Sequence, residues 1–123
     1  MPASPATAPF AATPEPPYYA VIFTSDRVVG DAALDAEYAR TAEAMETLAR
    51  EQPGYLGIES ARSADGRGIT VSYWSSLEAI AAWRAHVEHR EAQRAGRSRF
   101  YSAYAVRVCR VERAHAFASS QEA

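Results

Sequence analysis

The sequence predicts an α+β domain whose elements follow in the order βαββαβ. Three observations carry this: short apolar runs rich in aromatic and β-branched residues, two longer stretches with apolar residues at helical spacing, and turn-forming clusters between them. At 123 residues and 13.4 kDa the chain has room for one domain of ordinary size. Residues 1–17 hold all but one of its seven prolines amid Ala, Ser and Thr, so this tail is expected to be disordered and to leave the core alone.

The first strand begins at Tyr18 with Tyr-Tyr-Ala-Val-Ile-Phe-Thr, too short an apolar run for a helix. After a polar turn through Asp26 and Gly30, Leu34, Tyr38, Thr41, Met45 and Leu48 recur at steps of four and three. This is the stripe of a helix lying on a sheet, and Pro53-Gly54 stops it. Residues 55–62 and 68–74 flank the turn cluster Ser63-Ala64-Asp65-Gly66 and read as a hairpin. Ser75 and Glu78 then fit a capping box, which opens a second helix running toward Gly96. Residues 99–113 form a last, long strand with Phe100, Tyr104, Val106 and Val108 on one side and Tyr101, Ala103, Ala105, Cys109 and Val111 on the other.

This order is the ferredoxin-like arrangement of two helices on one face of a four-stranded antiparallel sheet. Two helices cover only one face, yet strands one and four are apolar on both. A second copy related by a two-fold axis is the expected cover, so the chain is expected to be a homodimer with the last strand at the centre of its interface.

Composition narrows the chemistry. The formal charge is −2, and Arg is scattered among Asp and Glu, so nucleic acid is not an expected partner. No run approaches the length of a membrane span, and the opening residues lack the pattern of a secretory signal; a cytoplasmic, membrane-free protein is expected. The chain contains neither Lys nor Asn, which removes Schiff-base lysines and any Asn that would orient a substrate. A single cysteine, Cys109, allows no internal disulfide and reads as a small buried hydrophobe.

Several side chains are candidates for chemistry. On the second helix, the apolar centre falls near Ile80, Trp83 and Val87, with His86 at the edge of that stripe and His89 further round. An imidazole titrates near neutrality, so His86 is the candidate general base or ligand; a locally bridging helix histidine is the plainer reading. His86 and His89 lack a closed ligand set, and no metal is expected. Trp74 fits either the core or a flat pocket wall, and Trp83 on the inward stripe reads more readily as core. Tyr73 lies on the opposite face of its strand from Trp74. Glu59 and Arg107 interrupt apolar strands, which requires pairing, an exposed edge or a place in a pocket.

The runs Pro53-Gly54-Tyr55-Leu56-Gly57-Ile58-Glu59-Ser60 and 71–80, then Trp83, His86, Glu88-His89, Ala92-Gln93, Gly96 and 108–113, resemble the antibiotic biosynthesis monooxygenase family. The resemblance covers 18–117, leaving 118–123 as a flexible C-terminus, and implies a dimeric α+β barrel with a pocket between sheet and helices. It implies a cofactor-independent monooxygenase acting on a small aromatic, a quinol, anthrone or polyketide-like molecule. His86 would be the catalytic base and Trp74, Tyr73, Trp83, Glu59, Tyr101 and His89 the substrate-binding residues. No cofactor is expected. Haem-degrading members use an Asn, a Trp and a His, and the absence of Asn breaks that set, leaving Thr24 or Ser25 as substitute donors. A haem or lipophilic-molecule binder, and a non-catalytic barrel filled by its own side chains, are the competing readings.

Overall fold

The computed structural model describes residues 9–93 and 99–119, with the side chains of 89–93 outside that description. Its elements are β1 (Tyr18–Arg27), α1 (Ala32–Arg50), β2 (Tyr55–Arg62), β3 (Arg67–Trp74), α2 (Leu77–Gln93) and β4 (Tyr101–Val111). They build one antiparallel sheet in the order β2-β3-β1-β4. The predicted βαββαβ fold is the one observed.

Local chemistry sets the boundaries. Asp31 caps α1 by accepting from the Leu34 amide at 3.0 Å. Past Arg50 the chain turns through Gly54 at φ +86°, where an added Cβ would also lie 2.5 Å from Ala79 Cβ. The Gly54 carbonyl accepts from the Ser75 amide at 2.8 Å, which ties this turn to the start of α2. The cap of α2 is Ser76, whose Oγ accepts from the Ala79 amide at 3.0 Å; the expected capping box at Ser75 and Glu78 is displaced by one residue because Ser75 is engaged by Gly54. The end of α2 toward Gly96 lies outside the described residues.

Residues paired directly across antiparallel strands project to the same side. Tyr19 of β1 opposes Trp74 of β3, and Trp74 stacks on Trp83 of α2, so odd-numbered β1 residues face the helices. Val21, Phe23 and Ser25 share that side with Ser72 and Arg62, and with Val108, Val106 and Tyr104 of β4. The core on this side gathers Trp74, Ile80, Val87 and Phe100, all buried, with Ala49 from α1. Tyr18, Ala20, Ile22 and Thr24 take the outer face with Tyr73, Val71, Ile69, Glu59 and Cys109.

That outer face departs from expectation in two respects. The tail is not wholly detached: the Ala11 amide donates to Glu59 Oε2 at 2.8 Å, and Thr13 Oγ1 donates to the Tyr18 hydroxyl at 3.1 Å. Ala11 Cβ sits 2.8 Å from where a Cβ on Gly57 would stand, so the missing side chain of Gly57 gives it room. The expectation of a tail without packing is therefore corrected for residues 11–13, which meet the β2 edge, while 1–8 lie outside the described residues. The outer-facing Tyr18 is only 4% exposed. Cys109, expected to be buried, is exposed on the outer side of edge strand β4, its Sγ 3.8 Å from the Ala20 carbonyl.

Candidate functional site

The helix side carries a run of stacked rings. Tyr55 meets Trp74 edge-on at 5.7 Å, Trp74 stacks with Trp83 at 5.9 Å and 26°, and Trp83 stacks with His86 at 5.9 Å and 18°. Trp74 ends β3 and Trp83 and His86 are i, i+3 neighbours on α2, so strand end and helix face bring the three together. Trp74 is fully buried, and its Nε1 donates to Ser72 Oγ at 2.9 Å. It is the floor of the stack and a core residue. Trp83 is half-buried, so the more exposed of the two tryptophans is the one whose helical stripe suggested core.

His86 ends the run. Its ring is half-buried, and Nε2 is enclosed with no hydrogen-bond partner among the described residues. A buried polar atom without a partner costs about 1–3 kcal/mol, so the position is poised for a donor or acceptor supplied from elsewhere. The side chain of His89 lies outside the described residues.

Glu59 and Tyr73 are joined to each other and separated from His86 by the thickness of the sheet. The Tyr73 hydroxyl donates to Glu59 Oε1 at 2.7 Å, and its ring meets Tyr18 edge-on at 5.9 Å. Burial, with the Glu59 carboxylate beside it, pushes the Tyr73 phenol up to about 12. Glu59 thus solves its burial by two hydrogen bonds, from Tyr73 and from the Ala11 amide, and by no ion pair among the described residues. These two residues cannot line one cavity with His86 and Trp83.

Tyr101 belongs to the helix side at the other end of the sheet. Its hydroxyl is 3.4 Å from that of Tyr38, and its ring meets Phe23 at 5.3 Å and Tyr38 at 5.9 Å, both edge-on. Of the two substitute donors, Ser25 faces the helices and is 2% exposed, whereas Thr24 points to the outer face. Ser25 Oγ accepts from Arg62 NH2 at 2.8 Å. Arg62 and its neighbour Arg27 carry no signal in the sequence, where each closes a strand among ordinary surface arginines. Only the register, which aligns Arg62 with Gly68 and Gly68 with Ser25, brings Arg62 to this face.

Among the described residues no group of three or more His, Cys, Asp or Glu could hold a metal ion. The residues do not fit the haem-degrading set either, since the chain contains no Asn. A hollow of about 450 Å³ opens beside Arg113, Ala114 and His115 and includes none of the predicted site residues.

Comparison with known proteins gives a consistent picture. Residues 25–95 match the family described as antibiotic biosynthesis monooxygenase. The uncharacterized protein YqjZ of Bacillus subtilis (strain 168) is 57% identical over 105 residues, spanning 85% of this chain and 89% of that protein. Among solved structures, PA3566 from Pseudomonas aeruginosa superposes with a TM-score of 0.59 at 16% identity, over 82% of this chain and 98% of that one. A variant of SnoaB, a cofactor-independent oxygenase from Streptomyces nogalater, superposes with a TM-score of 0.54 at 17% identity, over 85% and 98% of the two chains. At these identities the two structures share the fold.

Proposed function

For a chain that belongs to the antibiotic biosynthesis monooxygenase family, we propose a cofactor-independent oxygenase that takes a flat, electron-rich aromatic on the helix side of its sheet, with His86 as general base. The observation that carries this reading is the enclosed Nε2 of His86, without a partner among the described residues, at the end of the Trp74–Trp83 stack. Rotation of the half-buried ring would present that nitrogen to a substrate hydroxyl or an acidic C–H and place it for proton transfer. Trp83, stacked between Trp74 and His86, offers its half-buried edge as the aromatic side of the place where such a ring would sit.

The reaction follows from the chemistry of an anthrone-like CH₂ group. His86 takes one proton, and the carbanion gives an electron to O₂. The two radicals combine into a C–O bond, and the imidazolium returns its proton to the peroxide. Water then leaves as the O–O bond breaks, the second C–H proton departing with the hydroxide, so that CH₂ + O₂ becomes C=O + H₂O with no outside reductant. An apolar surround favours the electron-transfer step by excluding other proton donors. The working unit in this reading is a homodimer closed over the outer sheet face, where Ile69 is 46% exposed and Cys109 lies open. Sedimentation at twice 13.4 kDa is the expected result.

The test is oxygen uptake with an anthrone by wild type, His86→Ala and His89→Ala, with melting curves on the same samples. Loss of a positioned base lowers the rate by about 10²–10⁴-fold. His86→Ala should fall in that range at a near-unchanged melting temperature, with His89→Ala close to wild type. Equal rates in all three proteins would refute the assignment.

A further inference from the structure

At the end of the sheet marked by Ser25, Arg62 crosses the helix side of β3 from β2. Its guanidinium lies flat against Gly68, where an added Cβ would stand 2.6 Å from Arg62 Cζ, so only glycine leaves the space it occupies. Arg62 donates to the Gly66 carbonyl and, at 2.8 Å, to Ser25 Oγ. Those two bonds use two of the five N–H donors of a guanidinium, and among the described residues no carboxylate pairs with Arg62. The nearby Asp26 projects to the outer face, where it is paired with Arg67.

Arg27 reinforces the positive charge. It shares Asp35 at 3.0 Å, but its Nε is buried without a hydrogen-bond partner among the described residues. Arg27 is paired with Asp35 and Arg67 with Asp26, so Arg62 is the guanidinium here without a carboxylate in direct contact among the described residues, and it is framed by aromatic faces. Arg27 Cζ stands 4.5 Å and Arg62 Cζ 5.6 Å from the centre of the Tyr38 ring, and Arg62 Cζ is 6.0 Å from that of Tyr101. Beside Ser25 on the same face, Tyr104, Val106 and Val108 of β4 are 45–50% exposed and form a flat apolar shelf leading away from the charge.

We propose that Arg62, backed by Arg27, is a subsite for the carboxylate of a flat aromatic ligand whose rings lie on the Tyr104–Val108 shelf. A planar fork with unused donors matches a carboxylate, and the rings around it exclude water that would otherwise screen the pair. This inference rests on the reading that the helix side of the sheet is where the ligand binds, and it names the class of that ligand: an aromatic acid, held at the opposite end from its reacting centre.

The experiment is calorimetric titration with 2-naphthoate and with its methyl ester, neither of which can be oxidised by the proposed reaction. Binding is thus read apart from turnover, and a protein inactive on anthrones can still pass. Wild type should bind the acid at least about tenfold more tightly than the ester, the factor expected for hydrogen bonds to a charged group. Arg62→Gln should remove that preference while binding the ester as wild type does, and Gly68→Ala, which displaces the guanidinium but keeps its charge, should reduce it. Equal affinity for acid and ester in wild type would overturn the proposal even if neither variant folds. So would absence of binding by both ligands, or a preference for the acid that survives Arg62→Gln.

Discussion

Replacing each tryptophan of the stack by phenylalanine separates the residue that holds the domain together from the one that faces a ligand. Trp74 is fully enclosed, so Trp74→Phe deletes two buried ring carbons, at about 0.8 kcal/mol for each buried carbon. It also removes the Nε1 donor from Ser72, worth about 1 kcal/mol. The sum is roughly 2.5 kcal/mol, a large share of the ~5–15 kcal/mol that stabilises a domain. At about 4–8 °C per kcal/mol for a domain near this size, the melting temperature should fall by roughly 10–20 °C. Trp83 is half-buried and has no hydrogen bond to a described residue, so Trp83→Phe should cost less than about 1 kcal/mol. Urea unfolding of both variants, with the slopes checked for equality, measures the difference directly. A Trp83→Phe loss equal to or larger than that of Trp74→Phe would refute the division into floor and wall.

Three further outcomes follow from the outer face and the turn between α1 and β2. Tyr73 titrates at about 12 instead of near 10, so its neutral form is favoured in the folded state. That contribution is complete below pH ~10 and is lost as pH rises through the folded value; alkaline absorbance titration should show a late phenolate that is absent from Tyr73→Phe. Deleting residues 1–13 removes the Ala11 amide from Glu59 and Thr13 from Tyr18, and should cost about 1–2 kcal/mol in denaturant unfolding. An unchanged midpoint would show that the tail adds nothing. Gly54→Ala meets both a positive φ and Ala79 Cβ at 2.5 Å, and in the same unfolding assay should lower stability by about 2–4 kcal/mol. Glu43→Ala, at an exposed position of α1, is the matched control and should change it by no more than about 0.5 kcal/mol.

The architecture was legible because its signals are local. Periodicity at Leu34, Tyr38, Met45 and Leu48, and the turn cluster before Arg67, each point to one element. Strict alternation along β4 put Tyr101 on the face opposite Tyr104, and the register shift at Asp26 and Arg27 brings both to the helix side. The wheel of α2 correctly set Ile80 and Val87 inside, with His86 at the edge. What escaped the sequence was pairing across long separations. Nothing near Glu59 in the chain reveals that Tyr73 and Ala11 satisfy it, because those partners meet only through the β2-β3 register and the returning tail. Trp83, which its stripe suggests is core, is half-buried, and Trp74, equally compatible with core or pocket wall, is fully buried: helical spacing states which way Trp83 points, but only the position of α2 on the sheet decides how much of it is covered. Arg62 is the clearest case, a strand-end arginine whose significance depends on a glycine six residues later and a serine on another strand.

The most direct measurement is oxidation of an anthrone under isotopically heavy dioxygen, in the presence of a chelator and without added cofactor, by wild type and His86→Ala. One heavy oxygen atom should appear in the new carbonyl and one in water for each O₂ consumed, with the rate falling at least about 10²-fold in the variant. Light oxygen in the carbonyl, hydrogen peroxide released in place of water, or an undiminished rate without His86 would contradict it.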